Sequence, residues 1–308
     1  YMSGTQALVR LPIMQKLRDA AMGIHTAGYI SGYRGSPLAT LDLNLWKAQK
    51  YLTQHQIHFQ PGINEDLAVT AVWGTQQTSF LPTAKQHGVF AMWYGKGPGV
   101  DRSGDALKHA NMSGTATQGG VLALAGDDHG ARSSTMPHQT DPTLISFGIP
   151  VLYPATPQEY LDFGLHGWAM SRYSGLWVAM KCVTDIVESS ASVDIDLQRV
   201  RIALPDDFIL PQGGLGIRWP DSPMEQEKRM MEYKWPAAVA YVRANHLNRI
   251  VFNPPQAKLG LVSAGKAYLD LRQALQDIGL DNTACAQLGI RLLKVGCIWP
   301  MDVQGLRD

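Results

Sequence analysis

The sequence predicts an α/β protein in which a mostly parallel β-sheet is flanked by helices. Short apolar runs alternate along the chain with segments of helical spacing, and each run is apolar at successive positions rather than at every second one. Strands that are apolar on both faces are typical of a parallel sheet covered by helices on each side. The alternation of strands with helices implies right-handed crossover connections.

The elements of this sheet are predicted in the first part of the chain. The predicted strands are residues 28–31, 89–93, 120–125, 149–153 and 176–180. The predicted helices are residues 12–26, 42–53, 65–80, 104–112 and 156–171. The last helix has the clearest start, because Thr156 is a suitable N-cap, Pro157 suits the first helical position, and Glu159 completes a capping box.

Composition limits the classes of function. A length of 308 residues favours two domains. A net charge of +1 without a basic block gives little support to nucleic-acid binding. The 3 cysteines include no C-x-x-C pair, so no local iron–sulfur or zinc motif and no disulfide framework is expected. No apolar stretch approaches the ~18 residues of a membrane span, and a cytoplasmic, membrane-free protein is expected.

The chain divides into three predicted parts. Residues 1–204 form the first domain, and residues 205–252 form a Pro- and Gly-rich linker with a charged connecting helix interrupted at Pro236. Residues 253–308 begin a second α/β domain, with strands at 258–263 and 290–296 around a helix. Because one such unit does not close a domain, we expect this second domain to be truncated.

Three Gly-rich polar loops each follow a predicted strand, at residues 31–37, 94–99 and 126–130. Open α/β sheets bind ligands at strand ends of this kind. Between the first two loops, Glu65 follows a Pro-Gly turn at the head of an apolar helix. It is predicted to be a carboxyl that exchanges a proton with a ligand in a dry pocket. The alternative is a surface acid favoured by the helix dipole, a role that Asp66 serves equally well.

The other candidate side chains also have ordinary alternatives. Lys96 lies between two glycines, which suits either an anionic ligand close to the backbone or a plain Gly turn. Asp127 and Asp128 are candidate metal ligands and His129 is a candidate for proton transfer, unless this loop is only bonded internally. His138, like the pair Lys108-His109, has a weaker case, because lone histidines are more often structural.

Several familiar motifs are absent from the sequence. There is no P-loop and no G-x-G-x-x-G followed by an acid at the proper distance, which weakens a nucleotide-binding interpretation. There is also no G-x-S-x-G, so the hydrolase nucleophile elbow is not expected.

The loops together resemble the pyrimidine-binding domain of thiamine-diphosphate-dependent 2-oxoacid:ferredoxin oxidoreductases, above all the long, fused indolepyruvate ferredoxin oxidoreductases. Residues 33–37, Tyr-Arg-Gly-Ser-Pro, are similar to the family's Tyr-Pro-x-Thr-Pro loop. Asn64-Glu65 falls at the position of its cofactor-activating glutamate, and residues 126–134 resemble its Asp-Asp-Pro-Gly…Ser-Ser stretch. The resemblance covers nearly the whole chain, and residues from 258 onward resemble the start of a transketolase C-terminal-like domain.

The resemblance implies an oxidative decarboxylation of an indolepyruvate- or arylpyruvate-type 2-oxoacid to an acyl-CoA, with reduction of ferredoxin. It implies that Glu65 is the catalytic residue, whose carboxyl forms a hydrogen bond with N1′ of the aminopyrimidine of thiamine diphosphate. The residues that it assigns to cofactor contact besides Glu65 are Tyr33, Gly35, Lys96 and Gly97. The residues that it assigns to the substrate are Ser36, Arg34 and His129, with Lys96 and His129 as candidates for the substrate carboxylate.

The sequence also departs from the family pattern. Arg34 replaces the usual Pro and Ser36 replaces the Thr, so substrate contacts are expected to differ. The Gly-Asp-Gly…Asn motif for magnesium and diphosphate is missing, as are cluster cysteines. Mg²⁺ and the [4Fe-4S] clusters are therefore expected outside this chain, which is expected to hold no metal. It would be inactive without the remaining domains or subunits, in an assembly that is expected to be a homo-oligomer.

Two alternatives remain open at this point. One is a non-oxidative thiamine-diphosphate decarboxylase or ligase, which would share the cofactor but reduce no ferredoxin and need no coenzyme A. The other is a non-catalytic ligand-binding subunit, in which Glu65 would have no role in turnover.

Overall fold

The computed structural model describes residues 1–131 and 136–307, and its main feature is a seven-stranded sheet. The strands are β1 Met2–Ser3, β2 Thr26–Gly32, β3 Ile57–Phe59, β4 Gly88–Lys96, β5 Val121–Asp127, β6 Val151–Leu152, β7 Val178–Val183, β8 Ser190–Ala191, β9 Arg249–Phe252, β10 Leu259–Ala264, β11 Ile290–Val295 and β12 Cys297–Trp299. The order in the main sheet is β12-β6-β7-β5-β4-β2-β3. All of its neighbours are parallel except β12 and β6, which confirms the predicted fold class.

Helices connect most of these strands. They are α1 Gly4–Ala21, α2 Leu41–Lys47, α3 Gln49–Gln54, α4 Glu65–Thr75, α5 Gly97–Arg102, α6 Gly104–Ser113, α7 Asp141–Ser146, α8 Pro157–Ser174, α9 Thr184–Val187, α10 Pro223–Arg229, α11 Trp235–Ala244, α12 Gly265–Asp277, α13 Asn282–Leu288 and α14 Val303–Arg307. A 3₁₀ turn spans Thr78–Phe80, and a π-helical segment, Met230–Lys234, joins α10 to α11. No helix of the described ranges is both long and apolar enough to cross a membrane.

The main sheet is buried on both faces because successive side chains of a strand point in opposite directions. On β4, Phe90 and Met92 pack into one apolar cluster, which includes side chains of α1 and α8. Ala91 and Trp93, between and beyond them, pack into a second cluster with side chains of α4 and α6. The two clusters are the two faces of the sheet, and this explains why the predicted strands are apolar throughout rather than alternating.

Some predicted boundaries were wrong. The helix predicted from Pro12 begins at Gly4, because Ser3 and Gln6 form a capping box, and Pro12 is accommodated inside the helix. Thr26, predicted as the end of that helix, begins β2 instead. The predicted helix 42–53 is broken at Ala48 into α2 and α3, and the one predicted to reach Phe80 ends at Thr75.

The start of α8 was predicted almost correctly. The Thr156 side chain accepts a hydrogen bond from the Glu159 backbone N–H at 3.2 Å, and Pro157 occupies the first turn. The Glu159 carboxylate accepts from the Ala155 N–H at 2.7 Å, so the reciprocal half of the predicted capping box is absent. Its other oxygen binds the buried Lys294, which explains the shift, since a buried cation requires a charged partner.

The C-terminal part contains a second sheet in the order β10-β11-β9. The predicted strand–helix–strand unit corresponds to β10, α12 and β11, and antiparallel β9 supplies a third strand. Lys294 on β11 binds Glu159 of α8, and β12 extends the main sheet. These contacts join the C-terminal part to the first one, and the division at residues 204 and 252 stays a prediction.

A buried lysine stabilises the ends of two helices. Lys234 is fully buried, and its Nζ donates to the carbonyl oxygens of Met112 at 3.3 Å and Gly175 at 3.2 Å, where α6 and α8 end. A cation at a helix C-terminus complements the helix dipole and satisfies carbonyl groups that lack a partner in the helix. Burial, and to a smaller extent the positive charges of Arg229 and Arg218, lower the pKa of Lys234 to about 7.

Candidate active site

The three Gly-rich loops meet at the carboxyl edge of the main sheet, as the sequence predicted. Strands β2, β4 and β5 are parallel neighbours, so the residues that follow them emerge at the same edge. A Cβ atom placed on Gly35 would lie 2.5 Å from Cδ of Lys96, and one on Gly126 would lie 3.1 Å from Cδ of Pro37. The loop after β2 therefore touches both of the others.

The two acids at the start of α4 have different environments. Asn64 caps the helix through its side-chain oxygen, which accepts the Leu67 N–H at 2.9 Å. Asp66 lies at the surface, with 38% of its side chain exposed, and pairs with Arg102 at 3.2 Å. Glu65 is only 6% exposed. The surface alternative is therefore correct for Asp66 and wrong for Glu65.

The Glu65 side chain lies directly against a glycine backbone. A Cβ atom on Gly99 would be 2.5 Å from Oε1 of Glu65, and one on Gly95 would be 3.4 Å from its Cγ. Trp93 anchors the same residue, because its indole N–H donates to the Glu65 carbonyl oxygen at 3.3 Å. Within the described ranges, the Glu65 carboxyl forms neither a hydrogen bond nor an ion pair. A buried carboxyl in this state suits a ligand that supplies its hydrogen-bond partner.

The loop at residues 33–37, named the substrate loop after its predicted role, packs on Tyr94. The Tyr33 N–H donates to the Tyr94 carbonyl oxygen at 3.0 Å, and a Cβ atom on Gly32 would lie 2.5 Å from the Tyr94 ring. The side chains of Tyr33 and Arg34 are exposed, whereas Ser36 is half-buried. The loop thus has a rigid base and presents polar side chains at the edge of the sheet.

Lys96 and Gly97 form the turn from β4 into α5. Lys96 lies along Gly35 of the substrate loop, and Gly97 lies against the imidazole of His138, since a Cβ atom there would be 2.1 Å from Nδ1. His138 Nε2 is 2.7 Å from Oδ2 of Asp101 on α5. This histidine had a weaker case in the sequence than His129, whose side chain is exposed.

The two acids at the end of β5, Asp127 and Asp128, are both bonded to other parts of the protein. Asp127 is fully buried, and its Oδ2 accepts from the Thr140 N–H at 3.0 Å and lies 3.2 Å from Nζ of Lys181. Burial raises the pKa of Asp127, although the hydrogen bond from the Thr140 backbone and the positive charge of Lys181 act in the opposite direction. Asp128 is also buried and accepts from the Thr184 hydroxyl at 3.4 Å.

The described ranges contain no group of three His, Cys, Asp or Glu side chains placed to hold a metal ion. The prediction that the magnesium site is built by residues outside this chain stays untested. Arg132, Ser133 and Ser134, which belong to the stretch compared with the family's Asp-Asp-Pro-Gly…Ser-Ser, lie outside the described residues.

Comparisons with known proteins agree with this architecture. Residues 249–308 match the family model of the indolepyruvate oxidoreductase domain. The chain is 22% identical over 306 residues to the indolepyruvate oxidoreductase subunit IorA of Methanothermobacter marburgensis, covering 97% of this chain and 43% of that protein. It is 23% identical over 315 residues to IorA of Pyrococcus abyssi, covering 97% and 41%. The chain thus spans less than half the length of these relatives.

The fold has a counterpart among solved structures. A 2-oxoglutarate:ferredoxin oxidoreductase from Magnetococcus marinus, with 2-oxoglutarate, coenzyme A and succinyl-CoA bound, superposes with a TM-score of 0.69. The match covers 99% of this chain and 55% of that one at 14% identity, and so bears on the fold alone. The domain match and the IorA relatives thus make the chain similar to indolepyruvate oxidoreductases, and the solved structure shows that its fold is that of a 2-oxoacid:ferredoxin oxidoreductase.

Proposed function

We propose that the chain is the pyrimidine-binding part of an indolepyruvate-type 2-oxoacid:ferredoxin oxidoreductase and that Glu65 activates its thiamine diphosphate. The observation that carries the proposal is the contrast between the two adjacent acids. Glu65 is buried against Gly99, whereas Asp66 pairs with Arg102 at the surface. Helix capping explains why Asn64 precedes the helix, and the helix dipole favours an acid such as Asp66 in the first turn. Neither effect explains why the unpaired carboxyl of Glu65 is buried.

The residues around Glu65 fit an aminopyrimidine. The carboxyl offers one hydrogen-bonding group to a ring nitrogen. The backbone of Gly95 and Gly99 lies against the Glu65 side chain, and neither glycine has a side chain that would obstruct the carboxyl. Exclusion of water strengthens a hydrogen bond between the carboxyl and the ring. Thiamine diphosphate, when bound, supplies the electron sink that decarboxylation of a 2-oxoacid requires. Glu65 would hold a proton at N1′ of the ring and thereby control its tautomer.

The other predicted residues surround the same edge of the sheet. Lys96, between the substrate loop and α5, provides a positive charge for an anionic group of cofactor or substrate. Gly35 and Gly97 allow close approach to the backbone on either side of it. Tyr33, Arg34 and Ser36 lie on the loop that would face the 2-oxoacid.

The remaining components would come from elsewhere in the assembly. The IorA relatives are more than twice as long as the part matched here and are named as subunits. We place the diphosphate and Mg²⁺ site, the [4Fe-4S] clusters and the contacts with coenzyme A and ferredoxin in those additional domains or subunits. The active site would then lie between this chain and another domain or a second copy.

The test is a Glu65→Gln substitution in the full-length enzyme, with Asp66→Asn as the matched control. Glutamine keeps the size of the side chain but no longer exchanges a proton, so we expect 2-oxoacid-dependent ferredoxin reduction to fall by about two orders of magnitude or more. Asp66→Asn should stay close to wild type. Near wild-type turnover of the Glu65 variant would refute the catalytic role and favour a ligand-binding subunit. Decarboxylation without acceptor reduction would indicate the non-oxidative decarboxylase or ligase.

A further inference from the structure

His138 occupies a fixed position beside the predicted cofactor and substrate residues. Its ring packs on Gly97, and its Nε2 lies 2.7 Å from Oδ2 of Asp101. The other oxygen of Asp101 accepts from the Thr143 hydroxyl at 3.3 Å. Asp101 therefore orients the imidazole from α5 and is itself oriented from α7. A base or acid held by a carboxylate in this way is a common arrangement in active sites.

The second ring nitrogen of His138 has no hydrogen-bond partner among the described residues. Nδ1 is buried, and no hydrogen-bonding group of residues 1–131 or 136–307 reaches it. With Asp101 accepting from Nε2–H, a neutral ring leaves a lone pair on Nδ1, and a charged ring leaves a second N–H donor there. Either state leaves a buried polar atom unsatisfied, which is unfavourable and calls for an explanation.

The position of Nδ1 indicates what its partner would be. The ring edge that carries it faces Gly97, the residue after Lys96, and the Lys96 side chain extends along Gly35 of the substrate loop. A carboxylate has two oxygens, so one group bound at this turn can meet both the His138 and the Lys96 side chains. Gly97 carries no side chain, so the imidazole lies directly against the backbone of this turn.

We propose that His138 binds the carboxylate of the 2-oxoacid through Nδ1–H, opposite Lys96, and that Asp101 is its positioning residue. This inference rests on the proposed function, since it names a substrate contact of that same site. In this proposal His138 takes the carboxylate-binding role that the resemblance assigned to His129, because the exposed side chain of His129 has no comparable contacts to support that role.

The test uses the full-length oxidoreductase with His138→Ala, His138→Gln and Asp101→Asn. The matched control is His109→Ala, which removes an exposed histidine that also faces an aspartate, Asp105, at 3.4 Å. Affinity for the 2-oxoacid is measured as Kd by calorimetry without coenzyme A, alongside KM, kcat and the unfolding temperature.

We expect His138→Ala to raise Kd and KM about 10-fold or more, as for loss of a charged hydrogen bond, with a smaller effect on kcat. Asp101→Asn should raise both constants, and His138→Gln should restore part of the affinity, because its amide keeps a donor. His109→Ala should change neither constant. A merely structural role would lower the unfolding temperature without this split between KM and kcat.

The experiment distinguishes failure of the His138 assignment from failure of the proposed function. Unchanged Kd and KM in His138→Ala, His138→Gln and Asp101→Asn, in an enzyme that turns over normally, would overturn this inference and leave the proposed function standing. If His138→Ala does not fold, the other two variants decide the question in the same way. Absence of thiamine-diphosphate-dependent turnover in the wild-type enzyme would instead refute the proposed function.

Discussion

Gly99→Ala is the perturbation that most directly probes how the backbone holds Glu65. The added Cβ would lie 2.5 Å from Oε1, 2.6 Å from Cγ and 2.8 Å from Cδ of Glu65. These distances are shorter than any van der Waals contact, so the glutamate side chain has to move. The substitution therefore displaces the proposed catalytic carboxyl without removing it.

The expected effects on stability and on activity differ. Overpacking of this kind lowers the free energy of unfolding by about 1–3 kcal/mol. Alanine, however, is favoured over glycine in a helix by about 1 kcal/mol. The net loss in the free energy of unfolding is then about 0–2 kcal/mol, too little to unfold most proteins. A displacement of about 1 Å at a catalytic group, in contrast, can lower turnover by about 100-fold.

The assay compares Gly99→Ala with Gly74→Ala in the full-length enzyme. Gly74 lies in α4, the helix that begins with Glu65, and a Cβ atom there would meet nothing within 4 Å. The control should therefore keep wild-type turnover and gain up to about 1 kcal/mol of stability. If Gly99→Ala folds and turns over like Gly74→Ala, the position of Glu65 does not matter for the reaction and the reasoning above is wrong.

Two further predictions concern buried cations. The pKa of Lys234 is lowered by burial from 10.5 to about 7, so above pH 7 the unfolded chain binds more protons than the folded one. The free energy of unfolding should rise by about 1 kcal/mol per pH unit towards pH ~9. Urea unfolding of Lys234→Met, measured over the same pH range, should lack this rise. An equal slope in the two proteins would contradict the prediction. Lys181→Met should cost about 3–5 kcal/mol, because Asp127 and Asp141 lose their cation. Part of this loss should be recovered at acidic pH, because burial raises the pKa of Asp127 and favours its neutral form there. Denaturant unfolding that is unchanged at pH ~7 would refute the prediction.

Much of the fold follows from local patterns in the sequence. The strands of the main sheet are apolar at successive positions, and the glycine loops mark where β2, β4 and β5 end. The short strand β3 gave no such signal, because three residues with an exposed His58 in the middle are too few to show a pattern. The early start of α1 was missed because Pro12 suggested a helix start, whereas the actual cap is Ser3.

The candidate site was predictable only in part. Glu65 and Lys96 could be selected from their glycine neighbours, but burial separates Glu65 from Asp66, and burial depends on Trp93 and Gly99, which are distant in sequence. His138 had a weak case in the sequence for the same reason, since its partner Asp101 lies on a different element. Contacts between distant segments form the candidate site, and a single sequence does not reveal them.

The central claim is that the Glu65 carboxyl binds the aminopyrimidine ring of thiamine diphosphate. A structure of the full-length enzyme with the cofactor bound tests it most directly, through the distance between Glu65 Oε1 or Oε2 and N1′. We predict a hydrogen bond of about 2.6–3.2 Å. A cofactor bound elsewhere, with no ligand atom in contact with Glu65, would contradict the account.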